Sequence, residues 1–160
     1  MAEKEKMTLV VFSGELDKAL AAFNIAVTGA AMGMEVTMFF TFWGLNVVRK
    51  EKAKGKPPGA MRRMLGMMNK GGAKRSRLSK FHMCGIGTWM MKKLMRQSKM
   101  PNLPEMIAMA NQMGVKFVAC TTTMALQGLT EEDFIPEVKS FAGASTYLGE
   151  ARQGRVNLFI

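Results

Sequence analysis

Short apolar runs alternate along this chain with stretches of helical periodicity, and that alternation leaves few folds open. Met7-Thr-Leu-Val-Val-Phe12 is rich in β-branched residues and closes at the turn pair Ser13-Gly14. Glu15 to Met32 places Leu16, Ala19, Leu20, Phe23, Ala26, Val27 and Ala30 at three- and four-residue spacing. That spacing predicts a helix with one apolar face, stopped at Gly33. Glu35 to Phe42 is nearly continuous in apolar residues, as a parallel strand covered on both faces has to be. Further on, Leu103 to Met113 predicts a helix, with Pro104 in its first turn and Gly114 past its end. Val115 to Ala119 is a strand that runs straight into Cys120. Thr121 to Leu126 reads as a short helix, Thr130 to Asp133 as a capped turn, Ala142 to Gln153 as a helix and Arg155 to Ile160 as a last strand. The whole reads as one α/β domain over 1–160, with three layers: a mostly parallel, twisted sheet and helices on both faces, joined by right-handed crossovers.

Between about 44 and 100 this rhythm gives way to a basic, Met-rich helical insert. Gly44 to Lys54 predicts a short helix, Gly55-Lys-Pro-Pro-Gly59 a break, and Ala60 to Asn69 a second short helix. Gly71 to Lys80 is a basic loop, Phe81 to Gly87 a Gly-punctuated stretch, and Thr88 to Gln97 an amphipathic helix. Residues 49–100 hold sixteen Lys and Arg against a single acid, Glu51, in a chain whose net charge is +11. Such a block meets an acidic partner, an anionic substrate or a membrane surface, or else it is a solvated mobile loop. The Gly87–Lys99 stretch suits a peripheral contact with an anionic membrane: Ile86, Trp89, Met90 and Leu94 gather on one side and Lys92, Lys93 and Arg96 on the other. Nucleic acid is disfavoured, because Phe81 and Trp89 are the only aromatic residues in the block. The eighteen methionines fit either a Met-rich core or an adaptable interface.

The longest apolar region, Ala19 to Trp43, is interrupted by Gly29, Gly33 and Glu35, so it reads as a helix and a strand rather than a membrane span. No secretory signal is apparent, and two cysteines without a CxxC pair suit a reducing cytoplasm. No cofactor or metal is expected. One His and two Cys do not close a zinc site, the Gly85-Ile-Gly87 pair follows no dependable strand, and neither a Walker-type loop nor a nucleophile elbow is present.

The chemistry therefore falls to the thiols. Cys120 sits where an apolar strand meets a helix start, at the carboxyl edge where sites of parallel sheets gather. Backbone amides there stabilise a thiolate, and Thr121, Thr122 and Thr123 add hydroxyl donors without charge. A buried structural cysteine is the competing reading. Cys84 lies two residues from His82, whose imidazole would assist it if the loop folds back, while an incidental thiol in a flexible loop is the alternative.

The opening Leu-Val-Val-Phe-Ser-Gly, the Gly33-Met-Glu-Val strand, the late Val-Ala-Cys120-Thr-Thr-Thr-Met, and Leu126-Gln-Gly-Leu129 followed by Glu132-Asp-Phe-Ile together resemble the DsrE/DsrF-like sulfur-relay family over most of the chain. The insert and second cysteine resemble a DsrE-like subgroup sometimes labelled peroxiredoxins, although no conventional peroxidatic motif is visible. The resemblance implies a small α/β domain that forms homo- or hetero-oligomers. It implies a sulfurtransferase or sulfur carrier in which a cysteine after the penultimate strand, here Cys120, accepts sulfane sulfur as a persulfide and relays it, with Cys84 taking part. An acidic sulfur-carrier protein or an anionic sulfur compound is the expected partner. Two other readings stand beside it: a non-enzymatic module docking through residues 49–100, and a redox sensor in which Cys84 and Cys120 pair.

Overall fold

The computed structural model describes residues 5–51 and 59–160. Five strands, β1 (Lys6–Val11), β2 (Glu35–Phe40), β3 (Lys116–Cys120), β4 (Val138–Ala142) and β5 (Gly154–Phe159), form one sheet in the order β4-β3-β2-β1-β5. Every neighbouring pair is parallel. The helices are α1 (Leu16–Ala31), α2 (Ala60–Met68), α3 (Ile86–Gln97), α4 (Leu103–Gln112), α5 (Thr121–Gln127) and α6 (Ala144–Ala151).

Side chains alternate across a strand, so each strand sends two sets of residues to two layers. Met7, Leu9 and Val11 of β1, Val36, Met38 and Phe40 of β2, and Phe117 and Ala119 of β3 form the main core with α1 and α4. The intervening residues, Val10, Phe39, Val118 and Cys120, form a smaller cluster with Ala142 and Tyr147 of the α6 side. Lower on that second face the contacts are polar: the Thr8 hydroxyl donates to Asn157 at 2.6 Å, and that of Thr37 to Glu150 at 2.6 Å. The crossovers account for the two layers. Steps from β1 through β4 proceed in one direction, whereas the step from β4 to β5 returns across the sheet, which puts α6 on the opposite side.

The caps follow the sequence. Gly33 stops α1 at φ 87°, and Asn102 and Glu105 close a reciprocal capping box on α4. Three features differ from the sequence expectation. The sheet has five strands, not four: β4 was hidden because only Val138 of Val-Lys-Ser-Phe-Ala is fully buried, the mark of an edge strand rather than an apolar run. Ala142 ends that strand, so the helix expected from Ala142 starts at Ala144, and Cys120 closes the third of five strands rather than the penultimate one. The helix expected over Gly44 to Lys54 is a 3-10 segment, Phe42–Val47, after which Arg49 bridges to Phe134; residues 52–58, including most of the expected break, lie outside the described residues.

The insert is better anchored than a solvated loop. Arg49, 8% exposed, donates to Asn46 at 3.1 Å and to the Asn69 carbonyl at 3.3 Å, and feels the Asp133 carboxylate. The Gly72 amide donates to the Asn46 carbonyl at 2.8 Å and the Ser79 amide to Asp17 at 2.9 Å. The methionines do not build a Met-rich core: of those described, Met7, Met38, Met95, Met106 and Met124 are buried, and the insert exposes Met61, Met64, Met67, Met68, Met83, Met90 and Met91. No described helix is long and apolar enough to cross a membrane.

Gly44 is a structural pivot. A Cβ there would stand 1.9 Å from the Val11 carbonyl oxygen, so only glycine lets the 3-10 segment lie against the end of β1. Gly44→Ala is expected to destabilise by about 3 kcal/mol, the upper end for a forced overpacking. In a chain of this size that lowers the thermal midpoint by roughly 6–12 °C, read by circular dichroism.

Candidate functional site

Cys120 is the last residue of β3 and the N-cap of α5, with extended backbone at φ −72° and ψ 112°. Its strand parity points the thiol toward the α6 layer, beside Val118, Phe39, Ala142 and Tyr147, and it is 5% exposed. The β2–β3 register pairs Phe40 with Ala119, which sets Thr41 beside Cys120 at the carboxyl edge.

Burial acts first on this thiol and pushes its pKa up, but four donors outweigh it and the net shift is downward. They are the backbone N–H and hydroxyl of Thr123, the hydroxyl of Thr41 and the backbone N–H of Thr122. A thiolate accepting several hydrogen bonds in a partly dry site is stabilised in its charged form. The donors are held in turn: the Thr41 and Thr123 hydroxyls are 3.0 Å apart, and the Phe42 amide is 3.4 Å from the Thr123 hydroxyl oxygen. Gln127, buried at the end of α5, donates to the Phe42 carbonyl at 3.3 Å. Phe42 itself has φ 46°, a costly value for a β-carbon-bearing residue.

Of the expected supporting residues, Thr122 contributes its backbone, and the Thr121 and Thr122 residues are exposed. Thr123, the third of the run, carries the support. Thr41 carries no mark of the site in the sequence beyond its place as the residue after an apolar strand, because only the sheet register makes it a neighbour of Cys120.

Cys84 is exposed at the foot of α3, and both cysteines are free thiols. It stands in a tight segment where Phe81, Met83 and Cys84 all have positive φ. The His82 ring nitrogen Nδ1 lies 2.9 Å from the Thr88 hydroxyl, so the imidazole is engaged with Thr88. Among the described residues no three His, Cys, Asp or Glu side chains gather as a metal site.

Beside Cys120 the carboxyl edge is aromatic. Phe42 packs on Phe12 with ring centroids 5.3 Å apart, and Phe12 on Phe159 at 5.7 Å. All three rings are substantially exposed.

Comparison with known proteins places this geometry in context. Residues 3–159 match the model of the DsrE/DsrF/DrsH-like family. The chain is 44% identical over 158 residues to the uncharacterised protein YrkE of Bacillus subtilis, covering 99% of this chain and 98% of that protein. It is 30% identical over 167 residues to the sulfur carrier protein DsrE2 of Allochromatium vinosum, covering 99% of each. Among solved structures, the ychN protein from E. coli superposes with a TM-score of 0.60 at 9% identity, covering 98% of this chain and 99% of that one. MTH1491 from Methanobacterium thermoautotrophicum, a protein of unknown function, gives 0.55 at 10% identity, covering 98% and 100%. At that identity the two structures establish the shared fold.

The cradle makes a prediction. Thr123→Val removes a hydroxyl donor to the thiolate and keeps the shape, so the Cys120 pKa rises. The midpoint of iodoacetamide alkylation moves to higher pH by roughly half a unit to one unit, the worth of one hydrogen bond. The measurement uses a Cys84→Ser background, so that Cys120 is the thiol followed.

Proposed function

Since this chain belongs to the DsrE/DsrF/DrsH-like family, we propose that it is a sulfur carrier in which Cys120 accepts sulfane sulfur as a persulfide and passes it to a partner thiol. The observation that carries this reading is the set of neutral donors around a nearly buried thiol at the carboxyl edge of a parallel sheet. The thiolate is the attacking species in sulfur exchange, so a site that favours it without a neighbouring cation keeps it nucleophilic.

The step balances without a redox partner. The Cys120 thiolate attacks the outer sulfur of a donor R–S–SH. A new S–S bond forms to Cys120, the donor S–S bond breaks, and R–S⁻ departs, leaving Cys120–S–SH. In the second half an acceptor thiolate attacks the terminal sulfur and Cys120 returns as thiolate. Thr41, Thr122 and Thr123 serve the thiolate at both ends of this cycle, when it attacks and when it leaves. Burial among Val118, Phe39 and Tyr147 keeps stray thiols from the carried sulfur. The acceptor is an acidic carrier protein drawn by the basic insert, with a homo-oligomer as the working form. Cys84, exposed at the foot of α3, takes part in this reading as a later acceptor rather than in the first step.

Mass spectrometry after incubation with inorganic polysulfide tests the assignment. Wild type and Cys84→Ser are expected to gain the mass of one sulfur at Cys120, and Cys120→Ser to lose that addition. Equal sulfur loading in Cys120→Ser would sink the reading.

One observation favours a second reading, a docking module. Helix α3 exposes Ile86, Trp89, Met90 and Leu94, with Lys93 5.2 Å over the Trp89 ring and Arg96 in the last turn. Apolar side chains beside cations are what an anionic membrane surface holds. Pelleting with vesicles of anionic phospholipid measures it: binding is expected to fall at least tenfold in Lys92→Glu/Lys93→Glu/Arg96→Glu and at 0.5 M salt, and to persist in Cys120→Ser. Equal pelleting with neutral vesicles contradicts this reading.

A further inference from the structure

A cavity of about 900 Å³ opens at the carboxyl end of β1, apart from the Cys120 cradle. That volume has room for an organic molecule rather than a bare ion. Phe12 and Trp43 give it an aromatic wall, and Lys70, Arg75 and Arg77 line it with positive charge. Glu15 also lines it, but Lys18 neutralises that carboxylate at 2.6 Å. No carboxylate among the described residues pairs with Lys70, Arg75 or Arg77. Three cations that line one cavity without a carboxylate partner raise the local concentration of anions there.

The backbone that carries two of the cations is anchored. The Arg77 carbonyl accepts the Leu16 amide of α1 at 2.7 Å, the Arg75 amide donates to Gly72 at 2.9 Å, and Ser76 between them is buried. The rim is more adaptable, since α2 lends it exposed methionines.

The cavity also has a position relative to the thiol. Phe12, on its wall, stacks on Phe42, and Phe42 is bonded through its amide to Thr123 of the Cys120 cradle. Only β2 separates β1 from β3, so two strand spacings, about 10 Å, separate the end of β1 from Cys120.

We propose that this cavity binds an anionic low-molecular-weight persulfide, its carboxylates on Lys70, Arg75 and Arg77 and its sulfur reaching past the Phe12–Phe42 pair to Cys120. The choice of a sulfur-bearing ligand rests on the relay reading above; the anion site itself rests on the cavity. Transfer follows the same balance: the outer sulfur moves to the Cys120 thiolate, and R–S⁻ remains in the basic cavity, where the cations favour its negative charge.

Trp43 lines the cavity, and the chain has two tryptophans, so Trp89→Phe leaves Trp43 as its single tryptophan, excited selectively at the red edge of the absorption band. Titration of this variant with glutathione, an anionic thiol used here as probe, is expected to change Trp43 emission saturably. Arg75→Glu/Arg77→Glu, or Lys70→Glu alone, is expected to weaken the midpoint at least tenfold, whereas the exposed Lys139→Glu on β4 leaves it unchanged. Far-UV circular dichroism reports whether each variant is folded, and Lys70→Glu supplies the comparison if the double variant is not. No saturable change, or an equal midpoint in a folded charge-reversed variant, overturns the proposal. Loading with inorganic polysulfide separates the two ideas. No saturable glutathione binding by the Trp89→Phe protein while its Cys120 still takes up sulfur overturns the cavity assignment and leaves the relay standing. Binding retained while Cys120 takes up none supports the anion site and overturns the relay.

Discussion

Three phenylalanine rings hold the architecture on which the thiol depends. Phe23 of α1 lies 6.1 Å from Phe40 of β2 and 5.7 Å, edge-on, from Phe117 of β3, and Phe40 and Phe117 meet edge-on at 5.7 Å. Phe23 and Phe40 are fully buried and Phe117 nearly so. Edge-to-face pairs add about 1 kcal/mol each beyond the area they bury. More important here, the triangle joins one helix to two strands in a single register. A slip of one residue would turn every side chain of β3 to the other layer. With the register held, Ala119 faces the main core and Cys120 faces the opposite layer, next to Thr41.

That arrangement explains how one thiol is both buried and ionisable. A cysteine dropped into an apolar layer has its thiolate disfavoured. Here the layer is apolar on one side of the sulfur and supplied with hydroxyl and amide donors on the other, because β3 ends and α5 begins at that residue. Among the described residues, none of the donors acting on it is charged. Most of the basic groups of the chain are collected elsewhere, on the insert, some of them around the cavity at β1. The molecule thus separates two tasks along one sheet edge: attraction of negative charge at β1, stabilisation of a sulfur anion at β3.

The parts legible in the sequence are those whose burial is two-sided. β1, β2 and β3 announce themselves as apolar runs because both faces are covered, and Cys120 is visible as the end of such a run. β4 was not legible because an edge strand with exposed Lys139 and Ser140 carries no such signature. Thr41 and Thr123 belong to the site through sheet register and helix phase, which join residues 82 positions apart. The insert is ambiguous in another way. Its methionines look like core material by composition, yet α2 buries none of its residues and α3 only Thr88 and Met95. Apolar character in a sequence does not say which side of a helix finds a partner.

The placement of β5 has a consequence for how the chain is made. β1, formed from residues 6–11, pairs on one side with β2 and on the other with residues 154–159. The second pairing closes a loop of well over a hundred residues, and contacts of such sequence separation are slow to form. During synthesis, β1 waits with one edge open until the last strand has been translated. An unpaired edge on a nascent parallel sheet is the surface that aggregates or recruits a chaperone. The same strand that completes the fold therefore sets the interval over which the growing chain is vulnerable.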